Sequence, residues 1–170
     1  MKFNFTKYTS KEEVFKKIEQ HLTSFVRLRN IDISRPWGGF FVVEEEDADI
    51  FINEYFQHIS KEALAISGKL SPKILAVAPG KRLSWQYHHR RAEIWKVIVG
   101  LVNVITSETD IPSTEKHLLA GDIIELKRGE RHRIQGLDDW AVIAEIWRHT
   151  DAENPSDEDD IVRIEDDFGR

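Results

Sequence analysis

WQYHHRRAEIW, residues 85–95, sets two histidines, two arginines and a glutamate among Trp, Tyr and Ile side chains that belong in a core. Along a strand, side chains two apart share a face, so Gln86 and His88 point one way while Tyr87 and His89 point the other. A bend after His88 would let Glu93 return to the cavity faced by Gln86 and His88. An amide, an imidazole and a carboxylate then converge from one short segment as a Gln-x-His-x4-Glu set. Burying such groups is costly unless something partners them.

Some forty residues on, GDIIELKRGERHRIQG (121–136) supplies His132 just after a turn at Gly129. The chain has no cysteine, so a metal would have to use His, Asp, Glu or amide ligands. Imidazole, carboxylate and amide oxygen together suit a borderline or hard divalent cation such as Zn, Mn or Fe, with one or two positions open for water or substrate. Histidines in β-proteins are more often surface or hydrogen-bonded residues than ligands, so the weight falls on the joint spacing. His89, of opposite parity, is left out of the ligand set. No spacing recruits His21, His58, His117 or His149, and surface placement is their default.

The flanking sequence reads as a small β-rich protein with helices at one end. From Lys73 onward, KILAVAPG, LSWQYHH, EIWKVIVG, LVNVITSETD, KHLLAGD, IIELKRGE, RHRIQGLDD and WAVIAEIW are short β-prone runs broken by turn residues, the pattern of a sandwich or barrel. RPWGGFFVVEEE adds a turn and a strand. Ser10 and Glu13 make a capping-box pattern ahead of Val14, Phe15, Ile18, Leu22 and Phe25 at helical spacing. Asp49 to Ala65, with Ile50, Phe51, Tyr55, Phe56 and Ile59 on one face, reads as a second helix that SGKLSP closes.

The 170 residues, 41% of them hydrophobic, suffice for one core and show no composition shift that demands a second domain. No run approaches the roughly 18 apolar residues of a membrane span, and the N-terminus lacks the apolar stretch of a leader, so a soluble cytoplasmic protein is expected. Of the net charge of −6, residues 151–170 carry nine acidic against two basic side chains, leaving residues 1–150 near neutrality at 22 basic and 21 acidic. Lys81, Arg82, Arg90 and Arg91, and again Lys127, Arg128, Arg131 and Arg133, form two basic clusters. These suit a small anion or are solvated strand ends; nucleic acid would want a broader basic face. The last twenty residues suit a disordered acidic tail by composition, while Ile161, Val162, Ile164 and Phe168 equally suit a docked arm.

Counted from Gly80, the first segment fits G-x5-[HQ]-x-H-x4-E-x6-G, ending at Gly100; counted from Gly121, the second fits G-x5-[PK]-x-G-x2-H. Over about residues 74–147 the chain thereby resembles the cupin superfamily. The resemblance implies a mainly β fold, a double-stranded β-helix or jelly-roll barrel, with an N-terminal helical extension (1–30), a barrel (31–150) carrying a helical insertion near 48–66, and an acidic arm (151–170). It implies metal ligands at Gln86, His88, Glu93 and His132. A closer likeness rests on RPWGGF (35–40), LSWQYHHRRAEIW (83–95) and DEDDIVRIEDDFGR (157–170), which resemble three signatures of type II mannose-6-phosphate isomerases. Arg90 stands for that family's third histidine, Ile94 for the histidine after the glutamate and Trp147 for a common glutamine, departures that bear on the substrate more than on the fold or metal.

What the resemblance implies is a metal-dependent sugar-phosphate isomerase that interconverts mannose 6-phosphate and fructose 6-phosphate through a cis-enediol. Zn is the first choice of metal, with Mn, Fe, Ni or Co also compatible. Glu145, in the alternating WAVIAEIW, is the candidate proton shuttle, with pairing to an arginine as its structural counterpart. Arg91 would stabilise enediolate charge or bind phosphate; Arg90 shares parity with Gln86 and His88 if the strand runs on, and would reach the rim. Arg35 is expected to face substrate, with Trp37 either beside it or packed, and Arg163 contributes if the tail folds over the barrel. A homodimer is expected, with no nucleic-acid or membrane partner. Two alternatives stand beside this reading: a metal cupin that binds a sugar phosphate or nucleotide sugar without turning it over, and a metal-cupin enzyme of another kind, such as an isomerase for another phosphosugar or a small dioxygenase.

Overall fold

The computed structural model describes residues 3–57, 59 and 69–169. Helix α1 spans Lys11–Leu22, and the Ser10 hydroxyl accepts the Glu13 N–H at 3.2 Å, as the capping pattern predicts. Val14, Phe15, Ile18 and Leu22 are buried on one stripe, whereas Phe25 lies past the cap at Thr23 and packs edge-on to His21. Helix α2 covers Ala48–Tyr55, shorter than expected: Phe56 already has non-helical backbone angles, and the remainder of the anticipated helix, His58 included, lies largely outside the described residues. Its buried stripe is Ala48, Phe51, Ile52 and Tyr55; Ile50, expected on that face, is 44% exposed because the i, i+3, i+4, i+7 rows leave it outside.

The described residues form eleven strands, in chain order β1 Leu28–Asp32, β2 Gly38–Val43, β3 Lys73–Val77, β4 Trp85–Tyr87, β5 Arg91–Val99, β6 Leu101–Ser107, β7 Thr114–Leu119, β8 Ile123–Leu126, β9 Arg131–Gly136, β10 Ala141–His149 and β11 Val162–Glu165, with α2 between β2 and β3. They form a six-stranded sheet in the order β1-β2-β3-β10-β5-β8 and a five-stranded sheet in the order β11-β4-β9-β6-β7, with all pairings antiparallel. Each expected run from Lys73 onward contains one strand. β1 was not anticipated, because LRNID alternates too weakly to announce an edge strand.

Parity along β3, β5 and β10 explains their nearly unbroken burial. Ile74, Ala76, Ile94, Val142, Ala144 and Ile146 pack in one cluster with α1 and α2, while Leu75, Val77, Trp95, Val97, Ala141 and Ile143 meet Val102, Val104 and Ile134 of the second sheet. Both faces of the large sheet are therefore covered, and its inner face carries Lys73, Arg91, Glu93, Glu145 and Trp147 in the same alternation. Gly100 turns β5 into β6 at φ +83°, and a Cβ there would sit 2.6 Å from the Trp140 carbonyl oxygen, so only glycine fits without a shift.

The acidic arm is docked. β11 lies on β4 with Val162 opposite Tyr87 and Arg163 opposite Gln86, which sets aside the disordered-tail alternative for the described residues. Among the described residues no helix is long and apolar enough to cross a membrane.

Candidate active site

The opening stretch is two strands separated by a bend. β4 stops at Tyr87 and β5 starts at Arg91. His88 sits at the bend, where its carbonyl accepts the Gly129 N–H at 2.9 Å, tying the two motif segments together. Gly129 adopts φ +78° to make that approach. β4 pairs with β9 through Gln86 opposite His132, and Glu93 projects inward from β5. His88, Glu93 and His132 are each only 2% exposed, and one ligand atom from each lies within 4.8 Å of the other two. His88 Nε2 is 3.1 Å from Glu93 Oε1, and His132 Nε2 is 3.5 Å from Glu93 Oε2.

Hydrogen bonds outside the cluster orient both rings. His88 Nδ1–H donates to the Asp160 carbonyl at 2.7 Å and His132 Nδ1–H to the Glu130 carbonyl at 2.9 Å, since a carbonyl can only accept. In the neutral rings this leaves both Nε2 lone pairs aimed into the cluster. His132 Nε2 and Glu93 Oε2 are buried with no hydrogen-bond partner among the described residues. Two buried acceptors facing each other are satisfied only by a shared cation or donor. Burial pushes the His132 ring down to about 4, which keeps it neutral near pH 7. Burial would raise the Glu93 carboxyl, but His88 and Arg91 outweigh it and hold the group well below the usual carboxylate range. The neutral His132 imidazole and the ionised Glu93 carboxylate, with their orphaned lone pairs converging beside the His88 ring, fit a divalent metal.

Gln86 stands at the rim of this cluster. Its Nε2 lies 3.5 Å from His88 Nε2 and its Oε1 accepts the Ser84 hydroxyl at 2.5 Å. Exchange of the amide's two ends would turn Oε1 toward the cluster, and Ser84 accommodates this because a hydroxyl accepts as well as donates. Arg91 is wholly inside. It donates to Glu93 Oε1 (2.8 Å), His88 Nε2 (3.2 Å), Ser156 Oγ (2.9 Å) and the Asp157 carbonyl (3.0 Å), and lies 3.7 Å from the Trp147 ring centroid.

The structure does not bring Arg90 to the rim. The strand breaks before it, so parity does not carry over, and its guanidinium bonds Asn154, the Pro155 carbonyl and Asp157 in the arm. Glu145 shares the inner cavity but pairs with no arginine among the described residues: its two oxygens accept the indole N–H groups of Trp95 (2.9 Å) and Trp147 (2.8 Å). Burial, and then the Glu93 charge, raise its carboxyl to about 7. Arg35 and Arg163 line the cavity, Arg35 held by Asp32 at 2.8 Å; Trp37 is buried and lines it as well.

Several participants escaped the sequence reading. Lys73 is 5% exposed and lines the cavity beside Glu145, with which it is in cross-strand register. Its inward parity with Leu75 and Val77 was the available signal. Ser156 and Asp160 have no such periodicity, yet the Asp160 carboxylate accepts the His89 and Arg90 N–H groups and the Ser156 hydroxyl. His149, expected at the surface, is 0% exposed; its Nδ1 accepts the Ser156 N–H at 2.9 Å. His89 does turn away from the cluster, onto Tyr87.

Two antiparallel sheets wrapped into a jelly roll, with imidazole and carboxylate groups converging inside from two glycine-bounded motifs, define a cupin. The family model described as "Mannose-6-phosphate isomerase C-terminal" matches residues 52–166, and the chain belongs to that family. Among curated proteins it is 26% identical over 155 residues to "Alginate biosynthesis protein AlgA" of Pseudomonas aeruginosa and 28% identical over 139 residues to "Xanthan biosynthesis protein XanB" of Xanthomonas campestris. These alignments cover 82% and 81% of the chain but 23% of either relative, so the chain spans about a quarter of their length. Among solved structures, the capsular polysaccharide assembling protein CapF of Staphylococcus aureus superposes with a TM-score of 0.57 at 14% identity, over 82% of this chain and 34% of that one. An oxalate decarboxylase of Bacillus subtilis gives 0.55 at 18% identity, over 83% and 31%. Both likenesses concern the fold.

Proposed function

We propose that this chain is a metal-dependent sugar-phosphate isomerase that interconverts mannose 6-phosphate and fructose 6-phosphate. The observation that carries the reading is the pair of orphaned buried atoms, His132 Nε2 and Glu93 Oε2, beside a cavity that Glu93 and Glu145 both line. His88, Glu93 and His132, with Gln86 completing the set, would hold the ion, zinc for preference. A bound divalent ion supplies Lewis-acid polarisation of the sugar oxygens, which acidifies the carbon-bound proton beside the carbonyl.

The chain's own groups carry the proton. Glu145 takes it from C2 of the open-chain aldose and returns it at C1, while the hydroxyl proton passes from O2 to O1 through the cis-enediol. A carboxyl raised to about 7 is matched to both halves of that transfer. The Trp95 and Trp147 indoles fix one carboxylate oxygen each, so the shuttle keeps its aim. Arg91 donates to oxygens that gain charge in the enediolate. Arg35 and Arg163 stand at the mouth, and the arm bearing Arg163 excludes water. A coupled assay for fructose 6-phosphate on zinc-loaded protein tests the reading: turnover in the wild type and none in Glu93→Ala supports it, and equal turnover in both rejects it.

One observation favours a second reading, a sugar-phosphate-binding module without turnover. Arg91 already gives Glu93 a positive partner and covers His88 Nε2, so the buried carboxylate is balanced without an ion. Saturable phosphosugar binding with no turnover at any divalent metal would select it.

A further inference from the structure

The cavity beside the cluster measures about 80 Å³, whereas small-molecule sites run to roughly 300–1,000 Å³. Outside it lies a groove of about 520 Å³ that shares Arg35, Phe40, Glu158, Ile161 and Arg163 with the inner cavity. The side chain of Glu158 stands on that boundary. It reaches in from the arm to form an ion pair with Lys73, and the two ends of the pair are unlike: the lysine side chain is 7% exposed, the glutamate 62%.

Lys73 sits on the inner sheet face with its ammonium 3.9 Å from the Trp147 ring centroid and 5.6 Å from that of Phe40. A buried ammonium needs a negative partner. Glu145 lies across the strand pair but directs both oxygens at indole N–H groups. The partner Lys73 does have, Glu158, is anchored only indirectly. On either side of it, Ser156 and Asp157 are held by Arg91, and Asp160 by the backbone at His89 and Arg90. The Glu158 side chain can therefore swing into solvent while the arm's backbone stays put.

We propose that Lys73 is the anion-binding residue of the site and that Glu158 is a resident carboxylate which a phosphate monoester displaces. Arg35 and Arg163, on the same boundary, flank the incoming group. The exchange replaces a monoanionic carboxylate by a more highly charged phosphate on one ammonium, and it merges the inner cavity with the groove into a space large enough for a phosphorylated sugar. The identity of the anion as a sugar's phosphate rests on the isomerase reading; the exchange at Lys73 does not require turnover.

The test is a titration with inorganic phosphate in EDTA-containing buffer, so that no metal binds the anion, followed by calorimetry and by Trp fluorescence. Glu158→Gln, a change at an exposed side chain, should tighten phosphate by about fivefold, the ratio expected for loss of a partly exposed internal competitor. Lys73→Met should weaken it at least tenfold and Lys73→Arg should retain it. Phosphate binding that is unchanged or weaker in Glu158→Gln, or undiminished in a folded Lys73→Met, overturns the proposal. Should isomerase activity be absent while these shifts hold, the reaction assignment fails and the anion site stands.

Discussion

Replacing Arg91 by methionine separates the two cations that the site can use. The guanidinium is 2% exposed and supplies hydrogen bonds to Glu93 Oε1 and His88 Nε2, while Met keeps van der Waals contact with Trp147. Removing one partner of a buried ion pair costs about 3–5 kcal/mol, and the lower end applies because Glu93 can relieve the charge by taking up a proton. For a chain of this size about 3 kcal/mol lowers the melting temperature by roughly 6–12 °C. Zinc at a hundredfold excess over its dissociation constant returns about 2.7 kcal/mol by mass action. In the wild type the ion must first displace Arg91 from two ligand atoms, so its gain there is smaller. Thermal unfolding by circular dichroism, with and without zinc, reads all four states. The expected result is a larger zinc-induced rise in Arg91→Met than in the wild type. An equal or larger rise in the wild type, or none in either, would refute the claim that ion and guanidinium compete for Glu93 and His88.

Glu145→Gln keeps an acceptor for one indole but cannot take up a proton, so kcat should fall by about 10²–10⁴ with KM little changed; steady-state kinetics read the split. Asp160→Ala removes the acceptor of two backbone N–H groups and the Ser156 hydroxyl, and a loss of about 2 kcal/mol is expected, with limited proteolysis cutting the arm before the barrel unfolds. His149 is held at about 4 in the fold, by burial first and nearby cations second, against about 6.5 unfolded. The unfolded chain therefore takes up the proton first, and the His149 contribution is complete above about pH 6.5 and is lost as pH falls toward 4. Denaturant titrations at pH 7.5 and 5 should show His149→Gln abolishing about 1–2 kcal/mol of the acid-induced loss, the remainder including His132 in metal-free protein.

The strands from β3 to β10 were legible because each is a short β-prone run closed by its own turn residues, and His88, Glu93 and His132 because their spacing survives any uncertainty in strand ends. That Glu145 faces the same cavity as Glu93 followed from the alternation of WAVIAEIW. What was not legible depended on long-range packing. Arg90 was misplaced because the three-residue bend at 88–90 between β4 and β5 cancels the parity rule. His149 looked superficial because nothing local marks the arm that buries it. Lys73 was passed over because a single lysine opening an apolar strand reads as a strand end, and only the closed sheet turns it inward.

The central claim is tested most directly by proton NMR of the zinc-loaded protein with mannose 6-phosphate in D2O, run beside Glu93→Ala. Fructose 6-phosphate should appear, deuterium should enter the C2 position of the returning aldose, and both should vanish in the variant. No conversion and no deuterium incorporation in protein that holds zinc would contradict the account.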